Sequence, residues 1–205
     1  MSKMAAMAAG IRRIHIAGGP GSGKTWLASR LSEQLAVPCF DQDGTALALF
    51  ARLGLPPTSP SPPPEVEAGL IEAAREFAAG DAWVSDASSV TWTAPLFEGA
   101  EIVVWMDTPR SVALRRVFMR HVRAELRRDN RFPGWRRMYR FWRWSGQFYW
   151  DRNPEGVNPF GTPMTRSTLA SMLEVYSEKL VVCRNAEDLR GLERTLAVEA
   201  AQRAG

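Results

Sequence analysis

The sequence predicts an α/β fold, a parallel sheet with helices on both faces, and three observations lead there. Short β-type runs alternate with helical patterns along the 205 residues, the pattern left by strand–helix units around a parallel sheet. The first of these runs passes through a glycine-rich turn into a leucine-periodic segment. An apolar content of 45% suits a chain that buries one real core, so a single domain over residues 1–205 is expected, with 1–10 as a flexible tail.

Five strands are read in order: Arg13 to Ala17, Val37 to Asp41, Ala82 to Asp86, Glu101 to Met106 and Lys179 to Cys183. Between the first two, Leu27, Leu31 and Leu35 recur at i, i+4 and i+8 and mark one buried helix face. A second helix runs from about Pro64 to Ala79, with Val66, Leu70, Ala74 and Phe77 inward and Gly80 as its stop. Thr108-Pro109 reads as the start of another, with Asp107 as its N-cap. A further helix is placed around Ser167 to Tyr176, and Leu189, Leu192 and Leu196 carry the last one. Six prolines between Gly54 and Pro64 exclude regular structure there and predict a stiff surface loop within the domain. Asp151 to Thr165, rich in Asn, Pro and Gly, is a second connector.

Some function classes drop out at this level. Cys39 and Cys183 match no metal-ligand spacing and no disulfide framework, which points to a reducing, cytoplasmic setting. Met1 to Gly10 lacks the charged start and long apolar core of a secretion signal, and no apolar run approaches the roughly 18–20 residues that span a bilayer.

Gly18-Gly19-Pro20-Gly21-Ser22-Gly23-Lys24-Thr25 fits G-x-x-x-x-G-K-[ST] between a predicted strand and a predicted helix. Glycines let such a loop curl until successive N–H groups face phosphate oxygens, and the helix N-terminus adds partial positive charge. The pattern calls for a nucleoside triphosphate, ATP or GTP, with Lys24 reaching its outer phosphates and the Thr25 hydroxyl on Mg²⁺.

Carboxylates close two of the strands, at the end of a parallel sheet where ligands gather. After the second, Asp43 is suited to orient or deprotonate an acceptor hydroxyl, and Asp41 to hold an Mg²⁺-bound water. The plainer alternative is that one caps the following turn and the other is solvated. Asp86, ending Trp83-Val84-Ser85, is the candidate carboxylate for orienting Mg²⁺ from a neighbouring strand.

The net charge of +4 is unevenly spread, since residues 110–143 hold twelve arginines against Glu125 and Asp129. Arg116, Arg120, Arg123 and Arg127 fall on one helix stripe, and Arg116 and Arg120 are the candidates for clamping phosphates. From Trp135 to Trp150 arginines interleave with aromatics. Met138, Phe141, Trp142 and Phe148 are spaced to pack a helix onto the sheet, so nucleic acid is not expected as a partner. His15 is expected to be a buried, satisfied side chain of a central strand.

Taken in order, Ile14-His15-Ile16-Ala17-Gly18 to Thr25, Pro38 to Asp43, Trp83 to Asp86, Trp105 to Pro109, Arg116 with Arg120, and Phe141-Trp142-Arg143-Trp144 resemble small P-loop kinases of the adenylate-kinase-like class, and within it topology-modulation (FlaR-like) proteins. The resemblance implies a three-layer P-loop fold with a five-stranded parallel sheet in order 2-3-1-4-5. It also implies an arginine-bearing lid, here about residues 115–165, and phosphoryl transfer from ATP or GTP with Mg²⁺ to a small acceptor. Arg116 and Arg120 match lid-side positions, Asp43 matches the acidic position after the second strand, and Asp41 with Asp43 looks like the metal and acceptor carboxylates of shikimate-kinase-like enzymes. Asp86-Ala87-Ser88-Ser89 stands where the group has Asp-Gly-x-Tyr, and the arginine that holds a monophosphate there is absent, so the acceptor is left open. A nucleotide-binding regulator and a nucleic-acid-associated protein are the competing readings.

Overall fold

The computed structural model describes residues 11–55, 63–87, 92–129, 134–150 and 165–204, with only the backbone described at 43 and 197–204. Five strands, β1 (Arg13–Gly18), β2 (Cys39–Phe40), β3 (Trp83–Ala87), β4 (Ile102–Met106) and β5 (Leu180–Cys183), form one sheet in the order β2-β3-β1-β4-β5. Every neighbouring pair is parallel. The helices are α1 (Lys24–Leu35), α2 (Gln42–Arg52), α3 (Pro64–Ala78), α4 (Ala94–Gly99), α5 (Arg110–Arg127), α6 (Trp135–Trp150), α7 (Arg166–Glu174) and α8 (Ala186–Ala204). The fold class and strand order match the sequence expectation.

Strand alternation divides the core into two layers. Ile14 and Ile16 of β1 turn to the face covered by Leu27, Ala28 and Leu31 of α1 and Leu192 and Leu196 of α8. Ala17 turns the other way, into a cluster with Trp83, Val103 and Trp105 closed by Ala74 of α3, Leu96 and Phe97 of α4, Phe148 of α6 and Leu169 and Leu173 of α7. Both faces of the sheet are therefore dry, as the apolar runs of its inner strands require. A third, smaller cluster of Leu49, Val66 and Leu70 packs α2 on α3.

Two helices escape the sequence reading. α2 has Gly44 in its first turn and an Ala/Leu run without a clear period, and α4 is only six residues long. The strand read as Val37 to Asp41 shrinks to Cys39–Phe40 because Asp41 leaves it to cap α2, its Oδ1 accepting the Gly44 N–H at 2.9 Å. Lys179 closes α4, its Nζ donating to the carbonyls of Phe97, Glu98 and Ala100 at 2.8, 3.0 and 2.7 Å. The proline-rich loop at 56–62 and the connector at 151–164 lie outside the described residues. Among the described residues no helix is long and apolar enough to cross a membrane.

His15 is fully buried in β1 with its Nδ1 2.8 Å from the Ser85 hydroxyl and its ring 4.0 Å from that of Phe97. Its Nε2 finds no partner, so the side chain is satisfied on one side only. Burial, then the charge of Lys179, lowers its pKa to about 3. The unfolded chain therefore takes up this proton first as pH falls, and stability present above about pH 6.5 is lost progressively towards pH 3. At pH 5 the loss from this group alone amounts to about 2 kcal/mol. Denaturant titrations should give a steep decline between pH 6.5 and 4 that the double variant His15→Leu/Ser85→Ala flattens; an unchanged slope in that variant would assign the decline to other groups.

Candidate functional site

β1 ends at Gly18 and α1 opens at Lys24, so the glycine-rich loop links the central strand to the helix that covers it. Gly23 is the N-cap of α1 in the left-handed region, φ 98°, and no side chain caps the helix. The first intrahelical bond runs from the Leu27 N–H to the Gly23 carbonyl at 3.0 Å. The N–H groups of Gly23, Lys24, Thr25 and Trp26 therefore precede the helical ladder, which suits this helix start to donate to anionic oxygens.

The loop is held from behind by elements that follow β4. The Ser22 carbonyl accepts from Thr108 Oγ1 at 3.0 Å and from Arg116 Nη1 at 2.7 Å. The Pro20 carbonyl accepts from the Tyr149 hydroxyl at 3.0 Å. Burial, then the negative charge of Asp107, pushes the Tyr149 phenol above its ordinary range, so it remains a donor. Two glycines are required by close approach. A Cβ on Gly19 would stand 2.2 Å from Phe148 Cε1, and one on Gly21, whose φ is +75°, would stand 2.4 Å from the Ala113 carbonyl oxygen.

β3 lies beside β1 with Asp86 opposite Ile16. Asp86 is two residues beyond Val84, whose side chain joins the α1 layer, and it therefore points to the same face. There its Oδ2 accepts from Thr25 Oγ1 at 2.8 Å. This hydroxyl and carboxylate form an all-oxygen donor pair beside uncapped helix N–H groups, the chemistry that suits Mg²⁺ shared with phosphate. Among the described residues no group of three or more His, Cys, Asp or Glu side chains is placed to hold a metal alone. Cys39 is a reporter of the neighbourhood: loss of hydration, then the charges of Asp86 and Asp41, pushes its thiol up to about 11.

Of the residues singled out from sequence, the fold brings together Gly18, Gly19, Pro20, Gly21, Ser22, Gly23, Lys24, Thr25, Asp86 and Arg116. Asp41 is close by, with one oxygen engaged in the α2 cap. Asp43 lies in the first turn of α2, and its side chain is outside the described residues. Arg120 is exposed one turn beyond Arg116 on the same stripe of α5, with Arg123 and Arg127 further along.

Asp107 does not cap α5; Pro109 occupies that position. The Asp107 carboxylate is instead buried and gripped by Arg166, whose Nε and Nη2 donate at 2.7 and 2.8 Å, and by Arg184 at 3.3 Å. Two guanidiniums next to one carboxylate outcompete the orphan N–H groups of a helix start. Thr108, Tyr149, Phe148, Arg166 and Arg184 were not visible as site residues, because their partners lie tens of residues away. Packing also differs along α6: Phe148 is buried, whereas Phe141 is 39% exposed and does not face the sheet.

No family model matches the chain, and no curated protein does. Among solved structures it is similar to shikimate kinase from Acinetobacter baumannii in complex with shikimate, with a TM-score of 0.50 and 16% identity over 98% of this chain and 99% of that one. It is also similar to a gluconokinase from Sinorhizobium meliloti 1021, with a TM-score of 0.48 and 16% identity over 96% of this chain and 95% of that one. A deoxyadenosine kinase from M. mycoides with bound dATP follows, with a TM-score of 0.41 and 11% identity over 94% and 100%. Likenesses at this identity bear on the fold alone, and the narrower topology-modulation resemblance finds no match among them. The chain thus has an α/β fold matching that of P-loop kinases, with an all-parallel five-stranded sheet in the order β2-β3-β1-β4-β5.

Proposed function

We propose that this protein is a kinase that transfers the terminal phosphoryl group of ATP or GTP, with Mg²⁺, to a small acceptor that bears a hydroxyl or is nucleotide-like. The observation that carries the reading is the Thr25–Asp86 contact of 2.8 Å at the mouth of the phosphate loop. Mg²⁺, when bound, supplies positive charge that offsets charge on the transferring group, and Thr25 and Asp86 are the residues that would hold it, with Asp41 orienting a water of its shell. The loop N–H groups and the Lys24 ammonium bind and orient the phosphates. Arg116 fixes the loop through the Ser22 carbonyl, and with Arg120 it places guanidinium charge on the phosphate side of α5. Asp43 is assigned to the acceptor, taking or orienting the hydroxyl proton. The cytoplasm, where nucleoside triphosphates are plentiful, is the setting that suits this chemistry.

The test is a panel of nucleosides, nucleoside monophosphates, sugars and small hydroxy acids, following ADP release by wild type, Asp43→Asn and Asp86→Asn. At least one acceptor should stimulate ADP release. Asp43→Asn should lower turnover by roughly 10²- to 10⁴-fold with little change in nucleotide affinity, whereas Asp86→Asn should impair both. Tight binding of Mg²⁺-ATP with no stimulation by any acceptor, and with basal hydrolysis equal in all three proteins, would favour a nucleotide-binding regulator.

A further inference from the structure

We infer that the outward face of α6 is a docking surface for single-stranded nucleic acid, independent of phosphoryl transfer. Trp135, Arg136, Tyr139, Arg140 and Arg143, at i, i+1, i+4, i+5 and i+8 of α6, are exposed, as is Trp150 at i+15, whereas Gly146 at i+11 is buried. At 100° per residue the first five occupy one stripe of the helix, about 12 Å long, and Trp150 lies in line with it beyond the buried Gly146. Two aromatic rings and three guanidiniums lie along it, and the whole helix contains no acidic residue. Trp135, Tyr139 and Trp150 are 56%, 57% and 71% exposed. Large rings left this open on a helix that buries Ser145 and Phe148 on its other side are not core residues.

The sequence expectation against nucleic acid rested on Met138, Phe141, Trp142 and Phe148 packing inward. Phe148 does so and Phe141 does not, while the open rings of the stripe lie outside that set. Some of its rings are already fixed in orientation: Trp135 stands edge-on to His121 with centroids 5.1 Å apart, and the Arg110 guanidinium carbon lies 4.3 Å from the centre of the Trp150 ring. A ring held against its neighbours while its remaining surface is open gives a base a rigid platform to stack on. The arginines between the rings supply the charge complement to a phosphodiester backbone.

An anionic membrane is the other polyanion to consider. An interfacial helix sinks a continuous apolar face between the lipids and keeps its charges on the opposite side. α6 has its apolar face inside the protein, against the phosphate loop and α5, with Phe148 over Gly19 and Leu114 beside Gly146. The outward face mixes rings with charges over its first two turns. That mixture suits a partner with both phosphates and exposed π-faces, which single strands have and duplexes do not.

Fluorescence-labelled 12-mers of oligo-dT and oligo-U, a duplex of equal length, heparin and phosphatidylserine vesicles would be titrated with the full chain between 50 and 300 mM KCl. Single strands should bind at least tenfold tighter than the duplex or heparin, with affinity falling as salt rises by about 0.7 log units per log of salt for each arginine engaged. Tyr139→Ala should weaken single-strand binding by roughly tenfold without altering that slope. Arg136→Gln/Arg140→Gln should make the slope shallower. All these positions are exposed, and unchanged thermal unfolding would confirm intact variants. Equal affinity for duplex, heparin and single strand, indifference to Tyr139→Ala, or binding to vesicles alone would each overturn the proposal. None of these outcomes bears on ADP release, so it stands or falls apart from the kinase reading.

Discussion

Replacing Lys24 by alanine is expected to weaken Mg²⁺-ATP binding by roughly ten- to a hundredfold while leaving the fold intact. Lys24 is the first residue of α1 and only half-buried, so its removal leaves no cavity in either core layer. Its ammonium sits at the end of a loop whose other groups are backbone amides, and a hydrogen bond between charged partners contributes about 1.5–3 kcal/mol. Calorimetry on wild type and Lys24→Ala, with circular dichroism as the control for folding, measures the effect. Equal affinities in two folded proteins would remove Lys24 from the phosphate site.

Gly21→Ala is expected to be the most damaging single-methyl change in the loop. The new Cβ would meet the Ala113 carbonyl oxygen at 2.4 Å and Val117 Cγ2 at 2.8 Å. The first of these is backbone in α5 and cannot rotate away. The φ of +75° adds the left-handed cost of roughly 1–2 kcal/mol for a residue with a Cβ. Together these should lower stability by about 3 kcal/mol, which for a chain of this size is a fall in Tm of roughly 6–12 °C. Gly54→Ala is the matched control, because Gly54 has φ +65° and open space around it. It should lose only the left-handed cost. If both variants lost the same stability, the contact between the loop and α5 would not be what fixes Gly21.

How much of this was legible in the sequence follows from the range over which each signal acts. The inner strands were readable because both of their faces are buried, so Ile102 to Met106 is a continuous apolar run followed by Asp107, and Trp83-Val84 leads into Ser85-Asp86. The glycine-rich loop was readable because its signal is local: eight consecutive residues set the turn and the helix start. Asp86 was reachable by one further rule, that ligand groups collect at the carboxyl ends of parallel strands, and it meets Thr25 there.

The remainder depended on long-range geometry. Nothing near Asp107 announces that Arg166, 59 positions away, will take it from the helix start. The edge strand β2 was overestimated because Asp41 reads equally well as a strand end or a cap, and only the Gly44 N–H decides. In α6, periodicity could show a helix with an aromatic face but not which face turns inward, since rings occur all round it. Phe148 and Tyr149 went to the phosphate loop, whereas Tyr139 and Phe141 stayed at the surface. The four arginines of the α5 stripe are all exposed, and Arg116 among them reaches a loop carbonyl.

The claim on which the functional reading rests is that Thr25 and Asp86 hold a divalent cation against the bound phosphates. It is tested most directly by measuring ATP affinity with and without Mg²⁺ in wild type, Thr25→Val and Asp86→Asn. Valine keeps the shape of threonine and removes its oxygen, and asparagine keeps the shape of aspartate and removes its charge. Mg²⁺ is expected to tighten ATP binding in the wild type, and both variants should lose most of that gain while still binding metal-free ATP through the loop. An undiminished Mg²⁺ effect in both folded variants would contradict the assignment.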